Sequence, residues 1–186
     1  MKVSNLVLGP LNNNCYFLEI DDEVIIIDPA KHINKIKNKL GEKNLVAIFV
    51  THYHFDHVGA LKNLQNKYDV PIYDYKKEEK NYKLNKFDFD IIYNPGHSKD
   101  SVSFYFKNDN LLFSGDFVFK DDIGRCDLEG GDYEEMLKSI DKIKKYEDFI
   151  IYPGHGEITT LSYEKKYNPY FKWKKIKWLE KKNIKM

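Results

Sequence analysis

The chain of 186 residues has a single arginine, Arg125, among its 30 basic residues, and only two cysteines, Cys15 and Cys126. Two cysteines without CxxC spacing exclude a disulfide scaffold or a thiolate metal cluster, and read as free thiols in a reducing compartment. A surplus of charge is also missing. The 30 basic residues meet 29 acidic ones, and a net charge of +1 offers no overall field for nucleic acid. No apolar run reaches the ~20 residues of a membrane span, and "MKVSNLVLGP" lacks the apolar stretch of a signal peptide. The expectation is one cytoplasmic domain over residues 1–186, without a membrane or nucleic-acid partner. Oligomeric state stays open.

What is present is an ordinary globular pattern, 42% hydrophobic and 32% charged. "KVSNLVL", "NCYFLEI" and "EVIIIDP" read as strands separated by the turn chemistry of "GPLNN" and "DD". "HINKIKNKLG" places Ile33, Ile36 and Leu40 at helical spacing and ends on glycine. "LVAIFV", Leu45 to Val50, has the continuous apolar character of a strand buried on both faces. "GALKNLQNKY" returns to helix, and "VPIYDY" and "FDFDIIYNP" to strands. "SVSFYFKNDNLLFSGD" reads as a hairpin turning at "NDN", and "GGDYEEMLKSIDKIKKY" as a helix with Met136, Leu137, Ile140 and Ile143 on one face. "DFIIYPGHG" closes the series as a strand and loop. Strands precede helices in two halves, about 1–86 and 87–157, which fits two sheets covered by helices. The last segment, 163–186, carries nine lysines against Glu164 and Glu180, interleaved with Phe171, Trp173, Ile176, Trp178 and Leu179. It is expected to form a basic amphipathic C-terminal helix packing its aromatics on the body; the sharper alternative is a patch for an anionic substrate or partner.

Histidine is where the sequence departs from the ordinary. Three of the six histidines fall in "THYHFDHVG", Thr51 to Gly59, beside an aspartate. Each candidate donor follows a strand-like run: His52, His54, Asp56 and His57 after "LVAIFV", His97 after "FDIIYNPG", Asp116 after "LLFSG", His155 after "DFIIYPG". Loops at strand ends are where a rigid sheet gathers residues distant in sequence. Imidazole and carboxylate donors suit zinc, iron or manganese, and without a cysteine cluster a closed structural zinc site is excluded. His52 and His54, two apart in an extended segment, can chelate one ion, and Asp56 and His57 can reach a second. Seven donors exceed one tetrahedral ion and suit two ions sharing a carboxylate.

"THYHFDH", "PGHS", "SGD" and "PGHG", in that order, resemble the metal motifs of the metallo-β-lactamase fold superfamily, and within it the small single-domain branch of the glyoxalase II-like hydrolases. "GRCDLEGGD" and "EKKYNPYF" are similar to segments of the same branch. The resemblance implies a four-layer αββα sandwich with two divalent metal ions at one edge, zinc first, iron or manganese as alternatives. It further implies that His52, His54 and His97 bind one ion, that Asp56, His57 and His155 bind the other, and that Asp116 bridges them. Asp28, ending "IIIDP", matches an aspartate that steadies the donor loop. Arg125 is a candidate to grip a substrate carboxylate, or to pair with Asp127.

The chemistry expected is hydrolysis of a small-molecule thioester or other ester by a metal-bridging hydroxide, with Asp56 and Asp116 as the catalytic carboxylates. A thioester suits the set, since its thiolate leaves without a proton donor. The alternatives are a persulfide dioxygenase using one iron, a lactonase, β-lactamase or phosphodiesterase of the same fold, and a metal-binding interaction module. Only about thirty residues follow Glu157, where type II glyoxalases add a helical domain for glutathione, so the thiol carrier stays open.

Overall fold

The computed structural model describes residues 1–172. Its first sheet runs, in spatial order, β1 (Lys2–Leu8), β2 (Asn13–Ile20), β3 (Glu23–Ile27), β4 (Asn44–Phe49) and β5 (Ile72–Tyr73). The first three strands are antiparallel and the last three parallel. The parallel crossovers carry α1 (Ile33–Leu40) and α2 (Leu61–Tyr68). The second sheet comprises β6 (Asn81–Leu84), β7 (Phe87–Tyr93), β8 (Val102–Phe106) and β9 (Leu111–Gly115). A small ribbon of β10 (Val118–Phe119) and β11 (Asp122–Ile123) and the helix α3 (Tyr133–Ile143) follow, before β12 (Ile150–Pro153) joins β9 in parallel and β13 (Thr159–Thr160) edges the sheet. Helix α4 (Leu161–Tyr167) leads into a turn of 3-10 helix, Pro169–Lys172.

Alternation along the strands explains the layers. On β2 and β3, Cys15, Phe17, Val24 and Ile26 face α1 and α2, while Tyr16, Leu18, Ile25 and Ile27 face the other sheet. Opposite them stand Phe87, Phe89, Ile91, Phe104, Phe106 and Phe113. Leu112, Tyr105 and Ile151 turn outward to Met136, Ile140 and Ile143 of α3. Three apolar cores therefore separate four layers, the expected αββα sandwich. Helix α3 starts at Asp132, whose carboxylate accepts the amides of Glu134 and Glu135; such a cap contributes about 1 kcal/mol. The β8–β9 hairpin turns through Lys107–Asp109 into Asn110, which takes the left-handed conformation asparagine tolerates (φ 55°).

Two expectations shift. Strand β6, over "NYKL", has weak β character and is set by its pairing with β7, so the second sheet begins at Asn81 rather than Phe87. The helix expected from Tyr163 onward begins at Leu161 and stops after Tyr167, because Asn168 turns extended (ψ 122°) ahead of Pro169. Phe171 is buried against α3, in keeping with aromatics packing on the body, while 173–186 lie outside the described residues.

Candidate metal centre

All seven sequence-derived donors meet at one end of the sandwich, each just past the C-terminal end of a strand: β4 for His52, His54, Asp56 and His57, β7 for His97, β9 for Asp116 and β12 for His155. Asp28 follows β3 in the same way. Three overlapping groups have donor atoms within 4.8 Å of one another: His52, His54 and His97; His52, His57 and Asp116; Asp56, His57 and His155. Asp116 lies between the first and the last. Its Oδ1 is 3.4 Å from His57 Nε2, and its Oδ2 is 3.6 Å from His97 Nε2 and 3.5 Å from His155 Nε2. Asp56 Oδ2 stands 3.2 Å from His155 Nε2 and 3.6 Å from His57 Nε2.

The outer side of each ring is already committed. His57 Nδ1 is 2.9 Å from Asp28 Oδ2, His97 Nδ1 is 2.7 Å from the Arg125 carbonyl, and His155 Nδ1 is 2.8 Å from the Leu11 carbonyl. His52 Nδ1 lies 3.1 Å from the Thr51 hydroxyl, which itself donates to Asp28 at 2.6 Å. An N–H given to these oxygens orients each ring and leaves its Nε2 facing inward. His54 is reversed, with Nδ1 inward, 2.9 Å from His97 Nε2. Asp28 anchors the arrangement: it is buried, holds a left-handed backbone (φ 49°), and accepts from both the amide and the hydroxyl of Thr51.

Two glycines permit this density. A side chain at Gly154 would begin 2.3 Å from Asp116 Oδ1, and one at Gly115 (φ 54°) would begin 2.3 Å from the Thr51 hydroxyl.

Burial and charge work against each other here. Burial and the neighbouring His57 push the His52 pKa well down, and burial with His97 lowers His54. Burial opposes charge on His57 too, but Asp28 and Asp116 outweigh it and hold its pKa at about 10. His155 is raised likewise: burial is overcome by Asp56 and Asp116. Asp116 is driven well below the carboxylate range because His57 and the other imidazoles overcome its burial.

The donor set fits divalent cations. Nε2 of His52, Nε2 of His57 and Oδ1 of Asp116 are buried and have no hydrogen-bond partner, yet all three belong to one donor group. An unsatisfied buried polar atom costs about 1–3 kcal/mol, and cations held among these donors would satisfy all three. Five imidazoles and two carboxylates suit borderline ions such as zinc, iron and manganese. Neither cysteine belongs to a donor group: Cys15 is in the core, and burial raises the Cys126 thiol to about 11.

Arg125 takes the second of its two expected roles, the pair with Asp127. Its guanidinium forms a two-pronged pair with Asp127 (2.7 and 2.6 Å), largely exposed, and its contribution to the centre is the carbonyl under His97. Several contributors escaped the sequence reading. Asn13 is fully buried with its amide 2.9 Å from His57 Nδ1, and Asn14 binds the carbonyls of Pro153 and Gly156, fastening the β1–β2 turn to the His155 loop. The asparagine run "NNNC" was the available signal, since a turn needs no third asparagine leading into an apolar strand. Exposed apolar side chains flank the donors: Leu11, Phe55 and Ile158.

Comparison with known proteins agrees with this geometry. The chain is 34% identical over 206 residues to the probable metallo-hydrolase YqgX of Bacillus subtilis, covering 91% of this chain and 97% of that one. It is 28% identical over 207 residues to the hydroxyacylglutathione hydrolase GloC of Haemophilus influenzae, covering 91% and 98%. Among solved structures, the BLEG-1 B3 metallo-beta-lactamase superposes with a TM-score of 0.88 at 31% identity, over 92% of this chain and all of that one. TTHA1623, solved in a di-iron-bound form, gives 0.81 at 30%, over 90% and 99%. The family description "Metallo-beta-lactamase superfamily" matches residues 8–93 and 83–155, a span that takes in every donor, and the chain belongs to that superfamily.

Proposed function

We propose that the protein is a dinuclear metal-dependent hydrolase that cleaves a thioester of the hydroxyacyl-thiol type, as a single glyoxalase II-like domain. The observation that carries this reading is the pair of donor triads joined through Asp116, each with its donor atoms facing inward. His52, His54 and His97 hold one ion, and Asp56, His57 and His155 the other. Asp116 serves both, one oxygen toward His57 and the other toward His97 and His155. Two divalent ions held this way supply Lewis-acid polarisation of a carbonyl and lower the pKa of water.

The remaining steps fall to the chain. Burial works against charge on Asp56, but His155 and His57 keep its carboxyl below the usual range, so it stays ionised and able to accept and orient the proton of a nucleophilic water. Asp28 and the carbonyls of Leu11 and Arg125 hold the imidazoles in place through the reaction. No proton donor for a leaving group is provided by Arg125, which is engaged with Asp127, and a thiolate needs none. Leu11, Phe55 and Ile158 offer apolar contact to the acyl or thiol portion. The name of the Haemophilus relative supports the thioester, and the di-iron state of TTHA1623 supports two ions. The gathering of Asp56, His57 and His155 as a second donor group favours this reading over a one-iron dioxygenase.

The test is metal analysis of protein purified without added metal, with S-lactoylglutathione hydrolysis measured on the same sample. About two zinc, iron or manganese ions per chain together with turnover are expected. One iron, no hydrolysis, and oxygen uptake with glutathione persulfide would overturn the proposal.

A further inference from the structure

Beside the metal centre lies a groove that the hydrolytic reading does not use. It is an open groove of about 400 Å³, lined by Tyr53, Tyr75, Lys76, Tyr93, Lys99 and Asp100, with none of the seven donors among them. That volume is within the usual range for small-molecule sites, roughly 300–1,000 Å³. Three tyrosines, each a little over one-third exposed, meet here from the ends of two different sheets.

Two of the rings are locked by their hydroxyls. Tyr53, between His52 and His54, directs its ring away from the donors and donates to Asp74 at 2.5 Å. The Tyr93 hydroxyl donates to the Lys99 carbonyl at 2.7 Å. Tyr53 and Tyr75 meet edge to face, with centroids 5.9 Å apart, and the Lys76 amine stands 5.8 and 5.7 Å over the two rings. The two carboxylates nearby hold neutral donors and keep their charge. Asp74 also accepts the Lys76 amide, and Asp100 accepts the Tyr53 amide at 2.9 Å. Among the described residues no carboxylate lies within 4 Å of either lysine amine.

The lining thus combines preorganised aromatic surface with two lysines that form no ion pair, beside the carboxylate of Asp100. A simple anion has no use for three tyrosines, and an apolar ligand has none for two lysines. A planar ring system bearing phosphate uses both. We propose that this groove is a nucleotide-binding site, taking the base against the tyrosines and the phosphates on Lys76 and Lys99. It is independent of the thioester assignment, and Tyr53 links it to the donor loop.

The test is calorimetric titration of the metal-loaded full chain with ADP, with adenosine and inorganic pyrophosphate as partial ligands. ADP is expected to bind at least about tenfold more tightly than either, and Tyr75→Ser or Lys99→Gln to weaken it by roughly tenfold. Circular dichroism and metal content check that each variant is folded and loaded. Equal affinity for pyrophosphate and ADP would overturn the proposal in favour of an anion site. Unchanged ADP binding in both variants would place the nucleotide at the metals instead and overturn it, as would no binding at millimolar ADP.

Discussion

The two donor triads are built from similar parts yet hold protons differently. In the triad of His52, His54 and His97, burial and imidazole neighbours push His52 and His54 down, so these donors stand deprotonated at neutral pH. In the triad of Asp56, His57 and His155, carboxylates overcome burial, and His57 is held at about 10. A proton there does what a cation would do. The difference teaches that a metal entering the first triad finds free lone pairs, whereas one entering the second must displace protons. Loading is therefore expected to be sequential, the first triad filling before the second.

The largest break in that comparison removes the group the triads share. Asp116→Ala is expected to lose both ions and to lower the proposed hydrolytic activity by more than about 100-fold, beyond the 10–100-fold typical of outer partners of metal ligands. The fold should survive, since Asp116 lies past the end of β9 and belongs to none of the three cores. Wild-type turnover in this variant would sink the shared-ligand assignment. A selective break is Asp28→Asn, which keeps a residue that tolerates the left-handed backbone and removes the charge behind His57. Affinity for the second ion should fall about 10–100-fold, and for the first by less, because Asp28 reaches His52 only through the Thr51 hydroxyl. Equal loss at both sites, read by competition with a chromophoric chelator, would show that the relay through Thr51 matters as much as the direct contact with His57.

How much of this the sequence carried follows from the kind of contact involved. The seven donors were legible because histidine has few uses after a strand end, and five of six lie there. Asp28 was legible as a strand-end carboxylate. The supports beneath His97 and His155 were not, since the carbonyls of Arg125 and Leu11 leave no trace in side-chain identity. Arg125 shows both sides: its ion pair with Asp127 was readable from the side chains, whereas its carbonyl beneath His97 was not. In the fold, the two-sided apolar strands specified the layers, whereas β6 has only the short alternation of Tyr82 and Leu84 and is set by its pairing with β7. The stop at Asn168–Pro169 was written in the sequence but outweighed by the amphipathic run around it.

A change of pH probes the same contrast without mutation. In metal-free protein, the raised His57 pKa means that the folded state binds a proton the unfolded state releases above about 6.5. That contribution is complete below about 6.5 and is lost as pH rises through about 10, so the metal-free Tm should decline across this window. Protein carrying two ions should show a flatter profile, because the cation replaces the proton. Metal content should fall from two ions toward one as pH drops from 8 to about 6, with the first triad retained longer. Simultaneous loss of both ions would show that the triads do not differ in proton competition.

The smallest expected effect lies at the rim, where the comparison turns from holding metal to holding substrate. Phe55 sits in the donor loop between His54 and Asp56 and is 62% exposed, so it supports little of the fold. If the ring covers the acyl or thiol portion, Phe55→Ala removes apolar contact of about 0.7 kcal/mol, on the order of 25 cal/mol per Å² over some 25–30 Å². KM should then rise about threefold while kcat stays within about twofold and both ions are retained. A fall in kcat with unchanged KM would instead mean that the ring positions the donor loop, because contacts that bind substrate and transition state alike appear in KM.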